Sequence, residues 1–193
     1  MQYCLEQKIP VTKVILFWAP FSSGYDIQNS SEKFRAAILK YVFGIKPEKK
    51  FDEETRRVFD VLSNLQYKEY PAKDFNPLQG KTTLEFNKVR VELHVKLAEK
   101  TNMMKYLRRI ARLSKREGIR IFVVIPPFSD RYLGFFPADI FAKISWFCRK
   151  HDLRLITFRS DDFSGNHFFD DDHLNIEGAN IMTQAIYREI CSD

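Results

Sequence analysis

Apolar residues follow two patterns along this chain, one typical of buried strands and the other of amphipathic helices. Largely apolar runs occupy residues 13–19, 119–125 and 153–158, and prolines follow the first two. Runs of this length without regular polar alternation predict strands that are buried on both faces. The sequence therefore predicts three strands of a parallel sheet.

Helical spacing of apolar residues fills much of the remaining chain. We predict helices over residues 31–43, 52–65, 102–117, 137–151 and 176–190, and residues 1–8 as the end of another helix. Asn102 is a candidate N-cap for the helix over 102–117, and Gly118 ends that helix. Helices therefore alternate with the predicted strands in the second half of the chain.

Two further segments fit these patterns less well. Prolines and a glycine predict an irregular course over residues 66–82. Residues 88–97 alternate apolar and charged side chains as a strand does, yet Val89, Leu93 and Leu97 also have helical spacing. We favour a helix there, because the rest of the chain alternates helices with strands.

Strands and helices in this order indicate an α/β protein with a parallel sheet flanked by helices. We predict a single domain over residues 1–193, in which residues 30–100 form a variable, insertion-like region. Functional groups of such sheets gather beyond the carboxyl ends of the strands. We therefore expect the functional site among the segments that follow the strands, which are 19–26, 126–132 and 159–175.

The distribution of charge indicates which partners the protein can bind and leaves the predicted fold class unchanged. The 193 residues include 31 Lys and Arg against 25 Asp and Glu, a net charge of +6. The excess is concentrated in the predicted helix over 102–117, where a basic run could contact phosphate or an anionic membrane. Leu107, Ile110 and Ala111 lie at helical spacing between the cations, which instead predicts a solvated face opposite the core. We therefore predict no nucleic-acid partner.

Cysteine and hydropathy patterns exclude other classes of protein. The three cysteines lack metal-ligand spacing and do not form a disulfide framework, and Cys148 lies in an apolar pattern that predicts a core position. No stretch reaches the roughly 18 apolar residues of a membrane span, and no signal peptide opens the chain. The sequence as given predicts a soluble protein with no membrane span and no cofactor.

The segment over residues 167–175 holds the strongest candidate chemistry. It reads HFFDDDHLN, with Asp170 and His173 three residues apart in the loop after the third predicted strand. A histidine that activates a nucleophile needs a carboxylate on its other ring nitrogen to fix the tautomer and stabilise the imidazolium. Asn175 is placed to cap the last helix. Asp170 and His173 are therefore candidates for an acid–base pair, although solubility and capping roles also fit them.

Residues 169–179, FDDDHLNIEGA, resemble the terminal block of the SGNH/GDSL hydrolases, in which Asp-x-x-His precedes Gly-Ala in the last helix. Residues 121–125 and the PPFSDRY that follows are similar to the penultimate strand and loop of that family. The resemblance implies a three-layer flavodoxin-like fold and a Ser-His-Asp hydrolase that acts on acyl or acetyl esters, such as acylated carbohydrates. It assigns His173 as the general base and Asp170 as the residue that orients it.

The chain departs from this family at the nucleophile. It contains no Gly-Asp-Ser and no Gly-x-Asn-Asp, and the place after the first strand reads WAPFSSG. One explanation is the C-terminal part of a longer hydrolase without its central nucleophile strand, which leaves residues 13–19 as an exposed apolar edge open to association. The other is a degenerate site in a non-catalytic carbohydrate- or protein-binding domain. We expect little or no esterase activity from this chain alone.

Other residues offer weaker candidate chemistry. Three serines that follow predicted strands are alternative nucleophiles, namely Ser22, Ser23 and Ser129. A divalent metal ion could use nitrogen and oxygen ligands of the terminal loop, namely His167, Asp170, Asp172 and His173. We do not predict a metal site, because no second ligand cluster appears upstream. His94 and His151 are predicted to lie at the surface or at helix boundaries.

Overall fold

The computed structural model describes residues 2–26 and 86–192, so the predictions for 31–43, 52–65 and 66–82 lie outside the described residues. The chain divides into two compact units, residues 1–8 with 25–75 and residues 9–24 with 76–193. In the first unit the structure describes helix α1 (Gln2–Glu6), which confirms the predicted N-terminal helix. The other described elements belong to the second unit, and the single domain over 1–193 stays a prediction.

A three-stranded parallel sheet lies at the centre of the second unit, in the order β1-β2-β3. The strands are β1 (Lys13–Phe17), β2 (Arg120–Val124) and β3 (Arg154–Ile156). Lys13 pairs with Arg120, and Phe122 pairs with Arg154. The carboxyl ends of all three strands therefore meet at one edge of the sheet. This arrangement confirms the three predicted strands and the α/β class.

Five α-helices of the second unit are described. They are α2 (Lys88–Ala98), α3 (Met104–Glu117), α4 (Asp130–Leu133), α5 (Ala142–Lys150) and α6 (Ile176–Cys191). All but α4 confirm predicted helices, and Gly118 ends α3 in a left-handed conformation with a φ of 66°. Within residues 2–26 and 86–192, no helix is both long enough and apolar enough to cross a bilayer.

Two predicted helix starts are wrong. Met103 rather than Asn102 occupies the N-cap of α3, because a tight turn precedes the helix and the N–H of Met103 donates to the carbonyl of Ser23. Helix α5 begins at Ala142 rather than at 137, because the N–H of Ala142 closes a turn onto the carbonyl of Asp139. In both places, local turns replace the first helical residues that the apolar spacing indicated.

Alternation along β2 builds core on both faces of the sheet. Ile121 and Val123 contribute to a large cluster with α2, α3 and α5, whereas Phe122 and Val124 contribute to a smaller cluster with Ile186 of α6. The four β2 side chains are at most 3% exposed. Helices therefore flank both faces of the sheet, as predicted for a parallel sheet.

Strand β1 is buried on one face only. Val14 and Leu16 pack against the large cluster, but Ile15 is 44% exposed and Phe17 is 52% exposed. The prediction of burial on both faces is therefore wrong for this strand. The smaller cluster joins α6 to β2 and β3, and β1 lies at the edge of the described sheet. The strand thus lies at the edge of the described sheet, with Ile15 and Phe17 about half exposed on one face.

Helix α2 confirms the helical interpretation of its segment but turns a different face to the core. Val91 and His94 are buried, whereas Val89 is 78% exposed and Leu93 is 52% exposed. The face indicated by Val89 and Leu93 is therefore not the core face. The prediction that His94 lies at the surface or at a helix boundary is also wrong, because its ring stacks on Phe21 with 3.9 Å between ring centroids.

Candidate active site

Three loops and one helix meet at the carboxyl edge of the sheet. The ring of His94 in α2 stacks on Phe21, which follows β1, and its Nδ1 lies 2.7 Å from the hydroxyl of Tyr132, which follows β2. The backbone N–H of Ser129 donates to the carbonyl of Asp171, in the loop after β3, over 3.1 Å. The predicted convergence of the three loops is confirmed, and α2 is an additional contributor that was not predicted.

The loop after β3 folds back on itself before α6. Phe168 and Leu174 form an antiparallel bridge, and the N–H of Phe169 donates to the carbonyl of His173 over 2.8 Å. Inside this narrow turn, Oδ1 of Asp170 accepts a hydrogen bond from the backbone N–H of His173 over 2.8 Å. The carboxylate of Asp170 is therefore fixed by the backbone of the residue that it would orient.

The side chains of Asp170 and His173 contact each other across this turn. Nδ1 of His173 lies 2.9 Å from Oδ1 and 3.0 Å from Oδ2 of Asp170. The Asp170 side chain is 14% exposed, whereas the His173 side chain is 51% exposed. A carboxylate at Nδ1 favours the tautomer that leaves Nε2 unprotonated. Nε2, which has no hydrogen-bond partner among the described residues, can therefore accept a proton.

Asn175 joins the loop to α6, as predicted. Its Oδ1 accepts a hydrogen bond from the N–H of Gly178 over 3.0 Å, and its Nδ2 donates to the carbonyl of Asn166 over 2.5 Å. Its own N–H donates to the carbonyl of His167 over 3.0 Å. The helix cap thus holds both arms of the loop that carries the Asp170–His173 pair.

A guanidinium from α2 forms ion pairs with two aspartates of the loop. Nη2 of Arg90 donates to Oδ2 of Asp170 over 2.9 Å and lies 2.5 Å from Oδ1 of Asp172, in an ion pair without hydrogen-bond geometry. The Asp172 side chain is only 5% exposed. Arg90 and His94 are four residues apart and so share one helix face. That spacing is the one sequence signal for their role, which the sequence analysis missed.

Tyr132 and His94 form a buried polar pair behind the loop. Tyr132 is fully buried and His94 is 8% exposed. Nδ1 of His94 also lies 3.9 Å from Oδ2 of Asp172. Burial raises the pKa of the Tyr132 hydroxyl, and the charge of Asp172 raises it further. The pair therefore stays uncharged and supports the buried side of the site.

The middle aspartate of the loop points away from Arg90. Asp171 is 1% exposed, and its carboxylate accepts two hydrogen bonds from Arg131, over 2.8 and 2.9 Å. The hydroxyl of Ser129 donates a third hydrogen bond over 3.0 Å. Because Ser129 is the N-cap of α4, Asp171 anchors the loop after β3 to the loop after β2. Its role is to hold the site in place.

Charge and burial act in opposite directions on the pKa values of the pair. Burial alone would raise the pKa of Asp170, but the hydrogen bonds from His173 and Arg90 bring it below its ordinary value. The hydrogen bond to Asp170 raises the pKa of His173, and the charge of Asp172 adds to this. Burial raises the pKa of Asp172 itself. Asp170 is therefore ionised whenever His173 titrates.

The alternative serine nucleophiles have other partners. Oγ of Ser22 accepts a hydrogen bond from a backbone N–H within its own turn over 2.9 Å, and the hydroxyl of Ser23 donates to a carbonyl of α2 over 3.4 Å. The hydroxyl of Ser129 is taken by Asp171. In the part of the chain that the structure describes, none of these three hydroxyls forms a hydrogen bond with His173.

The metal-ligand set considered from the sequence is not assembled as a whole. Side-chain atoms of Asp170, Asp172 and His173 lie within 4.8 Å of one another. His167 lies apart from them, because its Nδ1 accepts a hydrogen bond from a backbone N–H over 3.1 Å. The guanidinium of Arg90 contacts both carboxylates. Both carboxylates of this cluster are therefore already paired with a protein cation.

Gly178 allows the first turn of α6 to pack directly on the loop. A Cβ at this position would lie 2.3 Å from the carbonyl oxygen of His167 and 3.0 Å from Cδ2 of Leu174. We expect Gly178→Ala to lower the free energy of unfolding by about 1–3 kcal/mol, because the backbone must shift to accept the methyl group. Gly165→Ala is the control, since a Cβ there meets nothing within 4 Å. Equal urea midpoints for the two variants would contradict this prediction.

The chain was also compared with known proteins. No protein-family model, curated protein sequence or solved structure matches it.

Proposed function

We propose that Asp170 and His173 are the acid–base pair of an SGNH-type ester hydrolase with a three-layer flavodoxin-like fold. The observation that carries this proposal is the contact of 2.9 Å between Asp170 Oδ1 and His173 Nδ1, on a histidine whose side chain is 51% exposed. The parallel sheet, the position of the pair at its carboxyl edge and the cap of α6 support it. The nucleophile would come from outside the described residues.

The chemistry of such a pair is a proton transfer in each direction. As a hydroxyl oxygen of the nucleophile attacks the ester carbonyl carbon, its proton moves to Nε2 of His173. Asp170 accepts the hydrogen bond from Nδ1–H and stabilises the imidazolium that forms. The imidazolium then returns the proton to the leaving alcohol oxygen. Water repeats the cycle on the acyl intermediate and releases the acid.

The test is the hydrolysis of a short-chain aryl ester by the full natural product of the reading frame that contains this chain. We expect His173→Ala to lower kcat by a factor of about 10⁴. His167→Gln, in the same loop but outside the pair, is the control and should keep full activity. If wild type and His173→Ala hydrolyse the ester equally, the proposal is wrong.

The 193-residue chain by itself is a second test, aimed at the nucleophile. We expect little or no hydrolysis, because the chain contains no Gly-Asp-Ser block, and no hydroxyl among the described residues is hydrogen-bonded to His173. Hydrolysis that is lost in His173→Ala would place the nucleophile within this chain. That result would contradict the expectation that this chain lacks the nucleophile. It would leave the proposed roles of Asp170 and His173 unchanged.

The acid–base pair also predicts a titration that is independent of activity. We expect NMR to show a pKa of His173 above the ordinary histidine value of about 6.5, because Asp170 stabilises the imidazolium. Asp170→Asn should lower this pKa, since a neutral amide stabilises the charge less. Asp161→Asn is the control, because the Asp161 side chain is 80% exposed and pairs with Arg159. An unchanged pKa in Asp170→Asn would contradict the coupling of the pair.

A further inference from the structure

A large apolar groove lies between α3 and α5, on the opposite face of the sheet from α6. Its volume is about 1020 Å³, at the upper end of the range for small-molecule sites. Its apolar lining includes Trp18, Met104, Phe136, Ile140, Ile144 and Phe147. Trp146, which is 55% exposed, adds an aromatic surface at the rim. The groove can therefore shield a long apolar group from water.

The two ends of the groove differ in chemistry. Trp18 directly follows β1, so this end lies near the carboxyl edge of the sheet. Arg112 and Lys150 belong to the C-terminal parts of α3 and α5, which lead straight into β2 and β3, so they mark the amino-edge end. At 1.5 Å per residue, the helix between Met104 and Arg112 is about 12 Å long. An extended chain that fills the groove would thus end among cations.

The basic end continues into a second, more polar cavity of about 550 Å³. Arg112, Lys150 and His151 line both spaces. Three further cations line only the second one, namely Lys115, Arg120 and Arg154. Among the described lining residues, Asp152 is the acidic one of the second cavity; the apolar groove has Glu99 and Asp139, and two further cations, Arg108 and Lys143. Cations therefore outnumber acidic groups where the two spaces meet.

The pKa of His151 is affected by this excess of positive charge. It ends α5, as predicted for a helix-boundary histidine. Burial lowers its pKa, and the charges of Lys150, Arg112 and Arg108 lower it further. Lys150 also lies over the ring of Trp146, with 4.6 Å between Nζ and the ring centroid. Cations from α3 and α5 thus converge beside an aromatic surface, which suits an anionic group attached to an apolar chain.

We propose that this groove binds a free medium-chain fatty acid, with the acyl chain along the apolar lining and the carboxylate at Arg112 and Lys150. The apolar lining of the groove would bind any hydrocarbon chain of suitable length. The two cations at one end favour a chain that ends in an anionic group such as a carboxylate. The basic run of α3, interpreted from the sequence as a solvated face, then has one member with a binding role, Arg112. This site does not depend on the proposed ester hydrolysis, and His173→Ala should bind the fatty acid as wild type does.

The test is calorimetric binding of laurate, below its micellar concentration, to the full 193-residue chain. We expect saturable binding at one site, and no saturable binding of dodecyltrimethylammonium, which has the same chain length and a cationic head. The variant Arg112→Gln/Lys150→Gln should raise the Kd about five- to tenfold, from the loss of two exposed charge contacts. The control is Arg109→Gln/Arg149→Gln, which removes the same charge from the same two helices but outside the groove.

Several outcomes would overturn the proposal. One is equal weakening of laurate binding by both double variants, which would mean a general effect of net charge. Another is equal binding of the anionic and cationic amphiphiles, which would mean hydrophobic adsorption. Binding to vesicles of anionic phospholipid without binding of free laurate would instead identify a membrane surface. Trp146→Ala, at an exposed position, should weaken laurate binding without unfolding the chain, and an unchanged Kd would argue against the groove.

Discussion

The variant Arg131→Met is expected to lower the free energy of unfolding by about 1–3 kcal/mol, because it removes two hydrogen bonds from a buried carboxylate. The Asp171 side chain is 2% exposed and accepts two hydrogen bonds from Arg131. Without them its carboxylate retains the hydroxyl of Ser129 as a side-chain donor. The Arg131 side chain is 44% exposed, so water replaces part of what the guanidinium supplies, and the loss is smaller than for a fully buried ion pair. Equilibrium unfolding in urea measures the loss.

Two companion variants separate a buried charge from a lost surface contact. Arg159→Met removes the same side chain from an exposed pair, in which Arg159 and Asp161 are 81% and 80% exposed, and should change stability by less than about 0.5 kcal/mol. Adding Asp171→Asn to Arg131→Met removes the buried charge and should recover part of the loss. If Arg131→Met costs no more than Arg159→Met, Asp171 is not the anchor that its burial indicates.

This anchor also bears on the candidate active site. Asp171 stands between Asp170 and Asp172, which both contact Arg90 from the other side. A loop released from Arg131 would lose part of its attachment to the loop after β2, which helps to place the acid–base pair at the carboxyl edge of the sheet. One residue of the three-aspartate run therefore contributes both to the stability of the fold and to the position of the pair.

The sequence correctly predicted those elements that depend mainly on interactions between residues close together in the chain. The apolar run of β2 is buried on both faces, Gly118 ends α3, and Asn175 caps α6. Each depends on a few neighbouring side chains and on backbone geometry. The contact between Asp170 and His173 is equally local, because a turn of three residues is enough to form it.

What could not be predicted depends on which elements meet in space. Alternation and helical spacing are equally consistent with several faces of α2, and packing on the loop after β1 decides that His94 is buried. The exposure of Ile15 and Phe17 depends on what lies beside β1. The three consecutive aspartates look alike in the sequence, yet they bind arginines from different helices. Asp172 contacts Arg90 of α2, whereas Asp171 binds Arg131 of α4. Such long-range partners leave no periodic signal.

The burial of His94 leads to a pH dependence of stability. Burial, followed by the charges of Arg90 and His173, lowers the pKa of His94 to about 4. In the unfolded chain the same group titrates near 6.5. Between these values the unfolded state binds more protons than the native state, so stability rises with pH across this window. The contribution is fully present above pH 6.5 and is lost as the pH falls toward 4.

The expected loss from His94 between pH 7 and pH 4 is about 3 kcal/mol. Carboxylates also titrate in this range, so the measurement is the difference in unfolding free energy between wild type and His94→Gln at each pH. At pH 7 the variant should be less stable, because the ring no longer stacks on Phe21. That deficit should shrink or reverse by pH 4, since glutamine takes up no proton.

His167→Gln is the matched control for this titration, because it removes one histidine from the loop outside the His94 network. Its stability should run parallel to that of wild type over the same pH range. A constant deficit for His94→Gln from pH 7 to pH 4 would mean that His94 binds as many protons in the native state as in the unfolded state. That result would contradict a His94 ring that burial beside Phe21 and Tyr132 keeps neutral.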